Sequence, residues 1–351
     1  MSSYEEAGVD IEAGDAAVQL MKAHLAKARR SEVIGDIGGF AGLFDISALK
    51  KFNRPLLATS TDGVGTKTEI ARLLGKYDTI GEDLVAMVVD DLVVCGAEPL
   101  FMTDYIAVGK VFPERIAEIV KGIAIGCQKA GTALVGGETA EHPGLLGEDE
   151  FDIAGAATGA VDHENLLGEH LVQDGDVIIA MPASGLHANG YSLVRHIIKS
   201  QNLSLEKYHD EFAKTLGEVL LTPTEIYSLD CLALHRGLRE KLHGYAHITG
   251  GGLAANTARV IPAHLTATFD RSTWSLPAEM AYLAQVGAVA QPDLEKTWNC
   301  GIGMVAIVDS LSADLAQRSL AARGMKAWVC GKIERRTAES GAALVGNYQA
   351  R

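Results

Sequence analysis

The sequence predicts an α/β protein with mixed sheets, divided into two domains. Short apolar or β-branched runs alternate with longer stretches of helical periodicity, and several of the runs end in glycine-rich turns, which is how strand, loop and helix succeed one another in α/β folds. A length of 351 residues supplies the third observation, because it suits about two cores rather than one. The polar segment Asp162 to Gly175 has the composition of an inter-domain connection, so the expected domains are 1–169 and 170–351.

Residues 10 to 30 carry Ile11, Val18, Met21 and Leu25 at roughly helical spacing and predict a first amphipathic helix. Gly35 to Gly42 holds four glycines in eight residues and must be a loop, either a lid or a turn. Pro55 to Thr61 reads as a buried strand, followed by Asp62, Gly63, Gly65 and Lys67. An acid for a metal ion, glycines for close approach and a lysine for a phosphate oxygen are the parts of a nucleotide phosphate site. The spacing is not that of a Walker A loop, and a glycine turn with a solvated lysine is the competing reading. Asp78 to Cys95 has apolar residues every three or four positions and predicts a helix with one buried face. Asp91 falls on or beside that face, as a metal ligand opposite Asp62 or as a capped or salt-bridged acid, while helical geometry turns Asp90 about 100° away.

Leu100 to Val108 predicts a strand, Pro113 to Ala130 a helix, and Thr132 to Val135 a strand ending in the glycines 136 and 137, with Glu138 beyond. Strand ends of this kind form ligand clefts in α/β sheets. His142 lacks a partner at metal-ligand spacing and reads as a loop histidine. Phe151 to Val161 and Asp176 to Met181 predict strands, and Tyr191 to Ser200 a helix. In the loop between the last two, His187 has three open roles: proton carrier, phosphate donor or packing side chain. Ala246 to Leu253 repeats the theme with three consecutive glycines before a helix expected over Leu253 to Val260. Trp298 to Ala306 contains glycines spaced as in a dinucleotide fingerprint, yet it runs into a β-branched strand rather than a helix, so that reading fails. Gly324 to Ile333 predicts a final strand pair, with a loosely held polar tail after Arg335.

Composition sets outer bounds. A net charge of −14 argues against nucleic acid and acidic membranes as partners, and no apolar run approaches the ~18 residues of a membrane span. Five scattered cysteines predict buried free thiols rather than disulfides or zinc ligands. The polar, acidic first residues resemble neither a signal nor a transit peptide, so a cytoplasmic location is expected.

Taken together, Ser3 to Ile11, Gly38 to Phe40, Thr61 to Lys67, Asp78 to Gly81, Asp91 to Leu100, Leu134 to Glu141, Asn189 to Arg195, Thr249 to Gly252 and Asn299 to Gly301 resemble the phosphoribosylformylglycinamidine cyclo-ligases of purine biosynthesis. The resemblance spans nearly the whole chain. It implies a homodimer in which two N-terminal sheets close a β-barrel, a C-terminal sheet flanked by helices, and ATP-dependent ring closure of formylglycinamidine ribonucleotide. It implies Asp62 and Asp91 as Mg²⁺ ligands, and Gly38, Gly39, Gly63, Gly65, Thr66, Lys67, Gly137, Glu138 and Thr139 as ATP contacts. His187, Asn189, Thr249, Gly250, Gly251, Gly252 and Asn299 would face the ribonucleotide, with Lys67, Asp62, Asp91 and His187 as catalytic residues. Two departures stand out: Asp90, where the family commonly has Asn, and His142, where it has an apolar residue. Selenophosphate synthetases and thiamine-monophosphate kinases are alternatives; the former usually carry a reactive Cys or selenocysteine near the N-terminus, whereas the first cysteine here is Cys95. A catalytically silent binding protein is expected to have lost Asp62, Lys67 or Asp91, and none is lost.

Overall fold

A computed structural model describes residues 11–35, 39–336 and 341–350. The chain divides into two compact units, Met1–Leu92 with Ala97–Glu164, and Val93–Gly96 with Asn165–Arg351.

The first unit opens with helix α1 (Ile11–Leu25) and a short hairpin of β1 (Val33–Ile34) and β2 (Leu43–Phe44). Strand β3 (Pro55–Gly63) begins on the sheet's edge, where a proline removes no ladder bond. Helix α2 (Lys67–Leu74), which the residue pattern did not announce, starts two residues after Gly65 at φ +65°. Helix α3 (Asp78–Val94) is the periodic segment expected there, and strand β4 (Glu98–Val108) follows. Helix α4 (Pro113–Ala130) matches its expected bounds, because Pro113 fixes its first turn and Gly131 at φ +68° closes its last. Strand β5 (Ala133–Glu141) does not stop at the glycines after Val135; it continues through them, because β4 pairs with it in parallel as far as Glu141. Strand β6 (Phe151–Asp162) completes a sheet ordered β3-β6-β4-β5.

Helix α3 is buried on every side over residues 81–90, which is why its apolar spacing misleads. Gly81 permits this: a Cβ there would stand 2.3 Å from the Ile119 carbonyl oxygen of α4, and one at Gly122 would stand 2.0 Å from that of Asp78. The opposite sheet face alternates outward in β3, β4 and β6, with Leu57 of β3 67% and Tyr105 of β4 42% exposed.

The second unit holds strand β7 (Val177–Pro182), helix α5 (Tyr191–Ser200) and a small ladder of β8 (Tyr208–His209) and β9 (Lys214–Thr215). Helix α6 (Leu216–Leu220) starts in a Thr215–Glu218 capping box. Helix α7 (Ser228–Leu238), β10 (Leu242–His247), α8 (Gly252–Ala258), β11 (Leu265–Asp270), α9 (Ala278–Val286), α10 (Gln291–Thr297), β12 (Ile302–Val308) and α11 (Ala313–Ala321) follow. The last strands are β13 (Trp328–Arg335) and β14 (Ala342–Val345). The six-stranded sheet runs β10-β12-β7-β13-β11-β14, antiparallel except for β11 with β14. Both faces carry apolar cores. On β12, Met304, Ala306 and Val308 point into one, and Val305 and Ile307 into the other.

Two expectations for the C-terminus are corrected. Gly324 to Ile333 is not a strand pair, since β13 is a single strand reaching Arg335. The tail is held rather than loose: β14 pairs with β11, and Tyr348 packs edge-on against Trp274 at 5.5 Å. All five cysteines are free, four of them buried and Cys95 partly so.

Candidate functional site

In the first unit, Asp62 ends β3, and its carboxylate accepts the Gly63 backbone N–H at 2.7 Å. Gly65 then turns the chain so that Thr66 caps α2 and Lys67 is its first residue. The structure shows where the expected phosphate lysine lies. Lys67 is fully buried, and its ammonium donates to Asp83 Oδ1 on α3 at 2.9 Å and forms an ion pair with the other carboxylate oxygen at 2.8 Å. Burial pulls its pKa below the ordinary lysine value, with the Asp83 charge opposing. A cation held this way anchors α2 to α3 rather than reaching toward a phosphate oxygen.

A correction concerns the neighbouring acids on α3. Asp90 is the fully buried one and Asp91 is exposed, the reverse of what the apolar spacing implied. A helix enclosed all round carries no periodic signal of which side faces out. Among the described residues, no three His, Cys, Asp or Glu side chains gather as a metal cluster.

On β5, strand alternation separates residues that the motif had grouped. Gly137 pairs with Asp104, and Thr139 with Ile106, on the face turned to the helices, whereas Glu138 pairs with Tyr105 on the uncovered face. Asp104 is 9% exposed, and burial raises its carboxyl to about pH 7. Gly39 is exposed in the loop between β1 and β2, and Gly38 lies outside the described residues.

In the second unit, β7 and β10 run in the same direction with β12 antiparallel between them. The loops after β7 and β10 and before β12 therefore share one edge of the sheet. Asn189 accepts the Gly250 backbone N–H at 3.1 Å, joining the first two loops. Asn299 donates to the Gly185 carbonyl at 2.9 Å and accepts the Gly301 N–H at 2.8 Å, joining the first and third. Asn299 is 3% exposed, and both hydrogen bonds of its amide brace these loops. His187 is 1% exposed at φ +61°; its Nε2 accepts the Ser184 N–H at 3.2 Å, and its ring lies against Tyr227. The structure thus shows His187 packed and hydrogen-bonded within the protein, which is one of its three open roles.

The triple glycine is needed where it stands. Gly251 and Gly252 have φ +97° and +75°, and a Cβ at Gly252 would sit 1.8 Å from the Glu295 carbonyl oxygen. Thr249 is half-buried, and Gly250 and Gly251 stay exposed at the loop's crest. Asn256, which the residue pattern gave no reason to single out, fastens this loop by donating to the carbonyls of Thr249, Gly250 and Gly252 at 2.9–3.2 Å. Its position one turn into the following helix was the available signal. Beside Gly251, a cavity of about 400 Å³ is lined by Ala254, Ala258, Arg271, Lys296 and Leu344.

Two units of this kind, each presenting glycine loops at strand ends, define the AIR synthase-related class of two-domain α/β proteins. The N-terminal domain model of AIR synthase related protein matches residues 45–161, and the C-terminal domain model residues 173–342. The chain belongs to the phosphoribosylformylglycinamidine cyclo-ligase family. It is 49% identical over 331 residues to the phosphoribosylformylglycinamidine cyclo-ligase of Desulfitobacterium hafniense, covering 94% of this chain and 96% of the relative. The Geobacillus kaustophilus protein of the same name is 48% identical over 334 residues, covering 94% and 95%. Among solved structures, thiamine-monophosphate kinase from Stenotrophomonas maltophilia superposes with a TM-score of 0.68 at 17% identity, over 95% of this chain and 97% of that one. The hydrogenase maturation protein HypE in complex with ATP gives 0.60 at 17%, over 92% and 88%. At these identities the last two speak for the fold alone.

Proposed function

We propose that the chain closes the imidazole ring of aminoimidazole ribonucleotide from formylglycinamidine ribonucleotide, consuming ATP and releasing ADP and phosphate. The observation that carries this is identity near one half along 94% of the chain with relatives named for that activity. ATP phosphorylates the formyl amide oxygen, an amidine-side nitrogen attacks the same carbon, and phosphate departs with that oxygen as the ring forms. Such chemistry asks for positioning and charge neutralisation more than for a protein nucleophile.

The division of labour we infer gives ATP to the first unit and the ribonucleotide to the second. Asp62, half-buried at a strand end, and the exposed Asp91 suit magnesium, which takes one or two carboxylates and completes its shell with phosphates and water. When bound, that ion would neutralise phosphate charge. In this reading the backbone of Gly63 and Gly65 and the hydroxyl of Thr66 line the phosphates, and Gly39 belongs to the loop that covers them, Gly38 lying outside the described residues. Gly137 and Thr139 share a sheet face with Asp62, because Asp62 and Asp104 both pair with Gly155. Glu138 points the other way, so its share in this site is through its backbone. With its charge matched by Asp83, Lys67 serves by fixing α2 under the loop. In the second unit, Asn189 and the exposed backbone from Thr249 to Gly251 are the groups that meet the ribonucleotide, held in place by Asn299, His187 and Asn256. The expected result is ADP release from ATP only when formylglycinamidine ribonucleotide is present. Equal release without it would sink the assignment.

We also infer a cytoplasmic homodimer. No helix among the described residues is long and apolar enough to cross a membrane. The uncovered face of the first sheet, with Leu57 and Tyr105 exposed and β3 and β5 as open edges, is what a second copy would cover in closing a barrel. Light scattering at micromolar protein is expected to report twice the 37.1 kDa chain mass. A single-chain mass would rule out the barrel.

A further inference from the structure

Asp62, Gly155, Asp104 and Gly137 stand in register across β3, β6, β4 and β5. Residues paired this way share a sheet face. Here it is the helix side, since Leu84 of α3 lies against Gly155. Within the row Asp104 is unusual. Its side chain is nine-tenths buried, and among the described residues neither a cation nor a donor side chain meets its carboxylate. A Cβ on Gly137 would come within 1.6 Å of Asp104 Oδ1, so this carboxyl fills the space that the bare backbone of the exposed Gly137 leaves open. The hairpin bearing the Gly35–Gly42 loop lies alongside: a Cβ on Gly42 would be 2.5 Å from the carbonyl oxygen of Val135, two residues before Gly137.

We propose that Asp104 is a nucleotide-binding residue whose ionised carboxylate accepts a hydrogen bond from a hydroxyl or amine donor on the nucleoside half of the ligand lying over Gly137. The proposal rests on the nucleotide reading given above for the first unit. In the free protein, burial disfavours the charged form against the single hydrogen bond from its own backbone N–H, and the Asp104 carboxyl is pushed up to about 7. A donor arriving with the ligand favours the charged form. Below neutrality, binding must therefore expel a proton, and affinity falls with pH by at most about tenfold per unit. Above pH 7 the carboxylate is already ionised and the dependence levels off.

Other titratable groups stand on the surrounding elements. Cys127 of α4 has its thiol pushed well up by burial and by Asp104 itself. Asp83 of α3 is matched by Lys67 of α2, and Glu82 of α3 by Lys129 of α4. Asp90 is buried on α3, Asp62 stands two strands away, and Glu32 near the hairpin is held by Arg30. Glu138 and Asp152 lie on the opposite sheet face, paired with Tyr105 and Ala107.

The test is calorimetric titration with Mg²⁺-ADP between pH 6 and pH 8, in buffers of different ionisation enthalpy, for the parent and Asp104→Asn. At pH 6 the parent is expected to release close to one proton more per ADP than the variant, and its affinity to rise about tenfold from pH 6 to pH 8 relative to the variant's. Equal proton counts in the two proteins would overturn the proposal. No ADP binding by the parent at any pH would overturn the nucleotide reading, and this proposal with it. The variant is not expected to lose its fold. A carboxyl raised by burial stabilises the fold fully only below its unfolded pKa and loses that contribution as pH rises toward 7, so an uncharged amide should melt at or above the parent at pH 8. Independently of any variant, a carboxyl ¹³C resonance titrating near neutrality must move to lower pH when ADP saturates the parent.

Discussion

Replacing Lys67 by alanine is expected to lower the unfolding free energy by about 3–5 kcal/mol, the usual cost of leaving one member of a buried ion pair without the other. Asp83 would remain fully enclosed on a helix buried on every side, with no counter-charge at 2.8 Å. Removing both charges together, as in Lys67→Met with Asp83→Leu, is expected to restore most of the loss, because a pair of apolar side chains of similar size needs no desolvation of charge. Urea unfolding followed by circular dichroism measures both effects. A Lys67→Ala protein as stable as the parent but with turnover reduced at saturating ATP would return the lysine to the phosphate contact that its motif implies.

Asp91→Asn is expected to act in the opposite manner. Asp91 is exposed, so exchanging its carboxylate for an amide should change stability by no more than about 0.5 kcal/mol. As a ligand of a hard cation it loses an anionic oxygen, and activity should fall on the order of a hundredfold with a raised requirement for Mg²⁺. Asp90→Asn is the control. The resembling family commonly carries Asn there, so the fold should accept it, and its effect should appear in the melting midpoint rather than in the Mg²⁺ requirement. Turnover of Asp91→Asn equal to the parent's at low Mg²⁺ would remove this residue from the metal site.

The contrast between these neighbouring acids shows what could be read in advance. Helix ends with their own punctuation were legible: Pro113 and Gly131 bound α4, and Tyr191–Ser200 formed where its periodicity placed it. Features set by distant chain were not. Strand β5 runs through two glycines because β4 pairs with it, and β14 joins β11 across more than seventy residues of chain. Periodicity could find α3 but not orient it, since enclosure on all sides erases the difference between faces. In the candidate site, glycines and acids marked loops at strand ends, yet residue type could not say which polar groups point outward. Lys67, His187 and Asn299 are all turned inward, where each finds a partner within the protein.

The asparagine braces at the edge of the second sheet bear on how binding there is divided between enthalpy and entropy. A free glycine-rich loop surrenders roughly 1–2 kcal/mol of backbone entropy for each residue it orders around a ligand. Here Asn189, Asn299 and Asn256 already hold the three loops before anything arrives, so that entropy was lost when the chain folded. Association at this edge then loses mainly the ligand's own freedom and the water both surfaces shed, the condition under which a shallow, glycine-lined surface can hold a small polar molecule firmly.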